Sequence, residues 1–367
     1  MHFFSPSRRA VPSGLAACLA ALGLATFTPA ARAQTQDLIV SNQDFGTRTA
    51  SVTRLTATGP GTFASRGTNI FSYGPVPQGL AYDTHGNLFV ASFNNNGDTG
   101  LISVLKAGTA PGTFDPATFV ATGLSSPVGL AFDARGNLFT AQYGNLGAGD
   151  GKITIYAPGA TPGTLGAATT FASGLSNPMG LAFDAQGNLF AAINQGSGGQ
   201  GSIKEFAFNA VTGTFGAAQT LTAPSLSKPD GLAFDARGDL FVSNLGANTL
   251  TEFAFNPLTG TLGAGTTFAT GLNGPAGLAF DALGNLYAAN SNSGSTISKF
   301  AFNPGTGTFG SAQNFGALNI SGPNFLAFGP LGAPAVPEAS TTVSLGLLLA
   351  LGLGGIVVAA RKRKVLS

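Results

Sequence analysis

One phrase recurs along this chain and sets most of what it can fold into. "PQGLAYDTHGNLFVAS" begins at Pro77, "PVGLAFDARGNLFTAQ" at Pro127, "PMGLAFDAQGNLFAAI" at Pro178, "PDGLAFDARGDLFVSN" at Pro229 and "PAGLAFDALGNLYAAN" at Pro275. The copies are spaced by 50, 51, 51 and 46 residues. A unit of that size cannot bury its apolar face alone, but stacked copies build a continuous core, and a period of roughly 40–50 residues fits a four-stranded propeller blade.

Each copy has a local physical reading. "GLAF" and "LFVA" are apolar runs too short for helices, bounded by Pro and Gly on one side and by an Asp-x-x-Gly turn on the other. Asp83, Asp133, Asp184, Asp235 and Asp281 open the turns, where a carboxylate accepts from backbone N–H groups, and the Gly supplies positive φ. The result is a hairpin whose strands are apolar on both faces, as expected for a sheet packed between two others. Third strands ("SIKEFAF" from Ser202, "TLTEFAF" from Thr249, "TISKFAF" from Thr296) and fourth strands such as "TTFATGL" (266–272) complete each unit.

The two ends of the repeat region complement each other. "GPNFLAFGP" (322–330) has a first strand with no second behind it, whereas "DLIVSN" (37–42), "SVTRLTATGPGTF" (51–63) and residues 64–73 supply second, third and fourth strands with no first. Joined, they make one blade. The predicted fold is all-β: a six-bladed propeller over residues 34–328, closed by strands from both ends, which also removes exposed sheet edges.

The flanks read as targeting segments. Residues 1–33 carry Arg8 and Arg9, an apolar stretch and an Ala31-Arg32-Ala33 cleavage site, the pattern of a secretory signal peptide. A Pro/Gly/Ala linker (329–340) precedes 20 uncharged, mostly apolar residues (341–360), enough for a transmembrane helix, and a basic tail (361–367) whose Arg361–Lys364 cluster favours the cytoplasmic side. "VPEAST" followed by an apolar span and a basic cluster resembles the PEP-CTERM sorting signal, with Val336, Pro337, Glu338 and Ala339 as its motif. The resemblance implies processing by an exosortase-type protease, an exported body at the bacterial cell envelope or surface, and attachment to the membrane, at least transiently, through the C-terminal segment.

With both flanks set aside, the body holds 10 Lys and Arg against 14 Asp and Glu, a net charge of −4 that argues against nucleic acid as a partner. Cys18 lies in the signal and His85 is the one histidine left in the body, so thiol chemistry and histidine-rich metal sites are excluded there.

The unit "P-x-G-L-A-F-D-x-x-G-N-L-F-V-A" resembles that of NHL-repeat and gluconolactonase-like six-bladed propellers over residues 37–328. Enzymes of the second group hold a divalent ion at one mouth of the channel. The corresponding positions here, between Pro and the next residue of each inner strand, are Gln78, Val128, Met179, Asp230, Ala276 and Asn324. The resemblance therefore implies Asp230 as catalytic residue, and Asp230, Asn324 and Gln78 as ligands for Ca2+ or another divalent cation.

A second candidate surface lies in the loops after the second strands, rich in Asn, Gln, Ser and Gly. Phe93, Asn95, Tyr143, Asn194, Asn244 and Asn290 are its candidate ligand-binding residues, suited to neutral polar partners such as extracellular polysaccharide, or to surface proteins. Asp98 and Asp150 lack calcium-loop spacing, and Arg237-Gly238-Asp239 is one more copy of the hairpin turn. The expectation from this pattern is an exported binding or scaffold module that is not an enzyme; the competing expectation is a metal-dependent lactonase-like hydrolase using Asp230.

Overall fold

The computed structural model describes residues 36–330, apart from 44–49, 60, 65–66, 73–75, 94–99, 111, 145–148, 196–199, 293–295 and 316–319. The expected signal peptide, linker motif, transmembrane segment and basic tail lie outside the described residues.

The described residues form six four-stranded antiparallel sheets and three two-stranded hairpins, with no helix. Numbered in chain order, blades 1 to 5 have inner strands Val76–Tyr82, Pro127–Phe132, Pro178–Phe183, Pro229–Phe234 and Pro275–Phe280. Blade 6 is the shared one: Pro323–Phe328 is its inner strand, and Leu38–Gln43, Ala50–Leu55 and Thr68–Ser72 follow outward. Leu38 pairs with Phe328 and Val40 with Leu326, so the closure anticipated from the sequence is the observed one.

The hairpin turns behave as their chemistry requires. In blade 1, Asp83 Oδ1 accepts from the N–H groups of His85 and Asn87, and its Oδ2 accepts from the Asn87 amide. Asn87 Oδ1 in turn accepts from the N–H of Ala107, so the turn also holds the third strand. The aspartates at 133, 184, 235 and 281 repeat the cap, and Gly86, Gly136, Gly187, Gly238 and Gly284 all have positive φ. All five recurring carboxylates are thus committed to turns.

The Arg-Gly-Asp triplet is a variant of this device. Asp239 replaces Asn and accepts from Phe255 N–H, while Arg237 pairs with Asp235 at 2.8 Å and with Asp239 at 3.0 Å. Arg237 also donates to the carbonyl of Gly307 at the outer hairpin tip of blade 5. Arg135 does the same to Gly213 in blade 3, and Lys299 to Gly61 in blade 6. Cations on one blade therefore fasten the tip of the next.

Between sheets the core is aromatic. Phe139 of blade 2 meets Phe171 of its own blade at 5.1 Å, and Phe183 and Phe215 of blade 3 at 5.1 and 5.9 Å. Phe241 of blade 4 has the same set in Phe268, Phe280 and Phe309. These edge-to-face clusters bury large apolar area and add roughly 0.5–1.5 kcal/mol per ring pair beyond it, which lets the body cohere without a disulfide.

Candidate functional site

The inner strands converge where each begins. A Cβ on Gly79 would overlap the carbonyl oxygen of Val128; Gly129 stands in the same relation to Met179, Gly180 to Asp230, Gly231 to Ala276 and Gly277 to Asn324. Only residues without a side chain allow the neighbouring backbone this close. The glycine of the repeat is therefore what draws residues 78, 128, 179, 230, 276 and 324 into one ring.

Blade 6 has Phe325 where the other blades have that glycine. Its seam is held by side chains instead: Asn324 donates its amide to the Gln78 side-chain carbonyl, and Gln78 Nε2 reaches Gln43 Oε1 at 3.5 Å. Ser41 Oγ accepts from the N–H of Phe325.

Asp230 is the acidic member of the ring and is 3% exposed. Its Oδ1 is buried and has no hydrogen-bond partner among the described residues. Burial raises its pKa from the ordinary carboxylate range to about 7. Its position is set by Ser243, whose Oγ accepts from the N–H of Gly231 at 2.8 Å and donates to the carbonyl of Ala276. Blades 1, 2, 3 and 5 have alanine at this second-strand position (Ala91, Ala141, Ala192 and Ala289). That break in the repeat was the available signal for Ser243, a residue the sequence reading did not single out.

Tyr143, just beyond the second strand of blade 2, belongs to the same electrostatic environment. Burial raises the pKa of its phenol, and the charge of Asp230 raises it further. Its backbone is held on both sides: its N–H donates to Ser126, and its carbonyl accepts from the Asn177 amide at 3.2 Å. A phenol held in its protonated form and a buried carboxyl pushed up to about 7 are groups able to donate and to accept a proton.

The other loop candidates are placed differently. Asn244 and Asn290 are 0% and 2% exposed. Asn244 accepts from Ser227 N–H and donates to Thr251; Asn290 donates to Ser298 and Thr296. These amides face inward as clamps between the second strand, the third strand and the connection entering the blade, because the last position of the second strand still lies inside the sheet sandwich. Asn194 is also buried, with its N–H on the carbonyl of Asn177. Phe93 is partly buried, opposite Val76, while Asn95 and Asp98 lie outside the described residues. The loop surface expected from the sequence therefore loses the amides of Asn244 and Asn290 to the fold, and Asn194 is buried as well.

The residues present do not fit a resident divalent cation. Asp230 is flanked in the ring by Met179 and Ala276, which offer no hard donor, and Gln78 lies three blades away with its carbonyl oxygen engaged by Asn324. Among the described residues no group of three or more His, Cys, Asp or Glu side chains is placed to hold a metal ion. Of the expected ligands Asp230, Asn324 and Gln78, Asp230 is the one carboxylate of the ring, and the Gln78 carbonyl oxygen already accepts from the Asn324 amide N–H.

Comparison with known proteins bears on what this site does. Residues 201–327 match the family model described as "Lactonase, 7-bladed beta-propeller". Among solved structures, the chain is similar to a periplasmic gluconolactonase of Pseudomonas aeruginosa, with TM-score 0.57, 19% identity, and coverage of 81% of this chain and 99% of that one. It is also similar to a putative 6-phosphogluconolactonase of Bacteroides fragilis, with TM-score 0.56, 15% identity, and coverage of 81% and 98%. A gluconolactonase of Xanthomonas campestris matches with TM-score 0.50, 15% identity, and coverage of 77% and 86%. No curated protein matches. At these identities the structures establish a shared propeller fold, here in six blades. The lactonase match over residues 201–327 overturns the expectation of a non-enzymatic binding or scaffold module in favour of its competitor.

Proposed function

We propose that the chain is a lactone hydrolase, opening a cyclic ester with water at the mouth of the propeller channel. The observation that carries this reading is Asp230: a buried carboxyl with an oxygen unpartnered among the described residues, pushed up to about 7, in a ring otherwise without charge. The lactonase match over residues 201–327, which includes Asp230, supports it.

In this reading ionised Asp230 accepts a proton from a water molecule as that water attacks the lactone carbonyl carbon. The oxygen of the tetrahedral intermediate gains negative charge, and the Tyr143 phenol, kept protonated by its surroundings, donates a hydrogen bond to it. When the intermediate collapses, the bond from carbon to ring oxygen breaks and the leaving alkoxide takes the proton back from Asp230. Water and lactone become one hydroxy acid, and the carboxylate is regenerated. No step passes through a metal.

The setting belongs to the same proposal. Residues 1–33 direct export, and residues 336–364 act as a sorting and membrane segment read by an exosortase-type protease, leaving the propeller outside the cytoplasm. A mature mass ending within residues 336–341 only in cells that contain the exosortase supports this arrangement; a full-length tail in such cells contradicts it.

A pH-stat assay of the purified chain against uncharged five- and six-membered lactones tests the activity. Acid release above the uncatalysed rate is expected, and its absence across the series would overturn the proposal.

A further inference from the structure

The six outer hairpin tips differ at two equivalent positions. Tips of blades 3, 4 and 5 carry Phe208 and Phe215, Phe255 and Leu262, and Phe302 and Phe309; blades 6 and 1 carry Ala57 and Phe63, and Ala107 and Phe114. Blade 2 carries Pro158 and Leu165, and so brings no phenyl ring. At three junctions the tip phenyl completes an aromatic cluster on the preceding blade, with Phe215 5.9 Å from Phe139, Phe309 5.5 Å from Phe241 and Phe63 5.9 Å from Tyr287.

At the junction of blades 1 and 2 Phe89 and Phe132 stand 5.1 Å apart and edge to face, and Leu165 of the blade 2 tip packs against them in place of a tip phenyl. A cavity of about 410 Å³ opens over them, walled by residues 158–165 and rimmed by His85 and Asp83 on one side and by the Asp133–Arg135 ion pair on the other. It lies at the hairpin-turn end of the blades, whereas the Asp230 ring lies where the inner strands begin. The rim also differs from its sisters. Arg135 lies 4.8 Å over the Phe208 ring at the junction of blades 2 and 3, and Arg237 5.5 Å over Phe302 at that of blades 4 and 5. His85 occupies that turn position in blade 1, with its imidazole 3.9 Å from Asp83 and largely exposed.

We propose that this cavity is a binding site for a small monocyclic aromatic molecule with one hydroxyl group, a phenol. The ring lies beside Leu165, which holds the place of Phe215, Phe309 and Phe63, and packs against the edges of Phe89 and Phe132. The hydroxyl faces the polar rim at His85, which can accept its hydrogen bond or donate to it. A half-open cavity with an aromatic floor and a polar rim gains dispersion contacts when a ring of matching size enters it. The site is independent of the hydrolytic reading.

The test uses p-cresol as probe, titrated into the full chain by calorimetry and ligand-observed NMR, with toluene as a second probe. Saturable binding is expected, weaker for toluene and weakened for p-cresol in His85→Ala. Leu165→Phe supplies the ring that sister tips carry, and is expected to lower p-cresol affinity at least tenfold while holding or raising the melting temperature. Pro158→Phe closes the cavity from its other wall and gives the same reading should Leu165→Phe not fold. Absence of saturable binding to the wild-type chain, or undiminished affinity in a folded cavity-filling variant, would overturn the proposal.

Discussion

Asn324, in the last described strand, donates its side-chain amide to the carbonyl oxygen of Gln78, in the inner strand of blade 1. This bond closes the ring at the junction where Phe325 replaces the glycine of the repeat. Gln78 is 4% exposed, so Asn324→Ala leaves a buried carbonyl without its partner, at a cost of about 1–3 kcal/mol. Urea denaturation is expected to show that loss, and the Gln78→Leu, Asn324→Leu double variant a smaller one than the sum of the singles.

The same bond bears on metal dependence. Because the ring offers one carboxylate and the Gln78 carbonyl oxygen is already engaged, prolonged dialysis against EDTA is expected to leave lactone hydrolysis within about twofold of the untreated rate. Millimolar calcium is expected to leave the melting temperature unchanged. Loss of activity on chelation, with recovery on adding calcium, would contradict the account of the ring.

Asp230 carries a stability signature. Its folded-state pKa of about 7 lies above its unfolded value, so the folded protein binds the proton more tightly. Below the unfolded pKa both states are protonated and nothing is lost; as pH rises from about 4 to about 7 stability falls, by on the order of 4 kcal/mol, and is then level. Asp230→Asn removes the charge and should be more stable than the wild type at about pH 8 but equal to it at about pH 4. Parallel denaturant titrations at both values measure this.

Gly231 sits where a Cβ would overlap the carbonyl of Ala276 in the next blade. Gly231→Ala must push two inner strands apart, at an expected cost of about 3 kcal/mol or more. Because the displaced peptide is the one that Ser243 holds beside Asp230, hydrolysis should fall along with stability. Ser243→Ala, which removes the hydroxyl without overpacking, should lower kcat/KM with a smaller loss of stability.

The repeat made the fold legible. Five copies of one hairpin, with Asp and Gly at fixed places, specify the turns, and the missing strands at each end specify the shared blade. What joins blade to blade was not legible in the same way. The bond from Arg237 to the carbonyl of Gly307 spans 70 residues and reaches a backbone group, so no side-chain pattern announces it. Asn244 and Asn290 read as loop residues because they precede Gly- and Asn-rich stretches, yet the sheet continues through them and turns their amides inward. Asp230 was visible because its counterparts are not acidic. The influence of its charge on the Tyr143 phenol was not, since the two belong to blades 4 and 2, with blade 3 between them in the chain.

The most direct test is kcat/KM for hydrolysis of an uncharged six-membered lactone, measured from about pH 5 to pH 9 for the wild type and for Asp230→Asn. The account predicts a wild-type profile that rises with a midpoint near 7 and levels off, and a loss of about 100-fold or more in the variant at the plateau. An Asp230→Asn chain that hydrolyses the lactone as fast as the wild type at about pH 8 would contradict it.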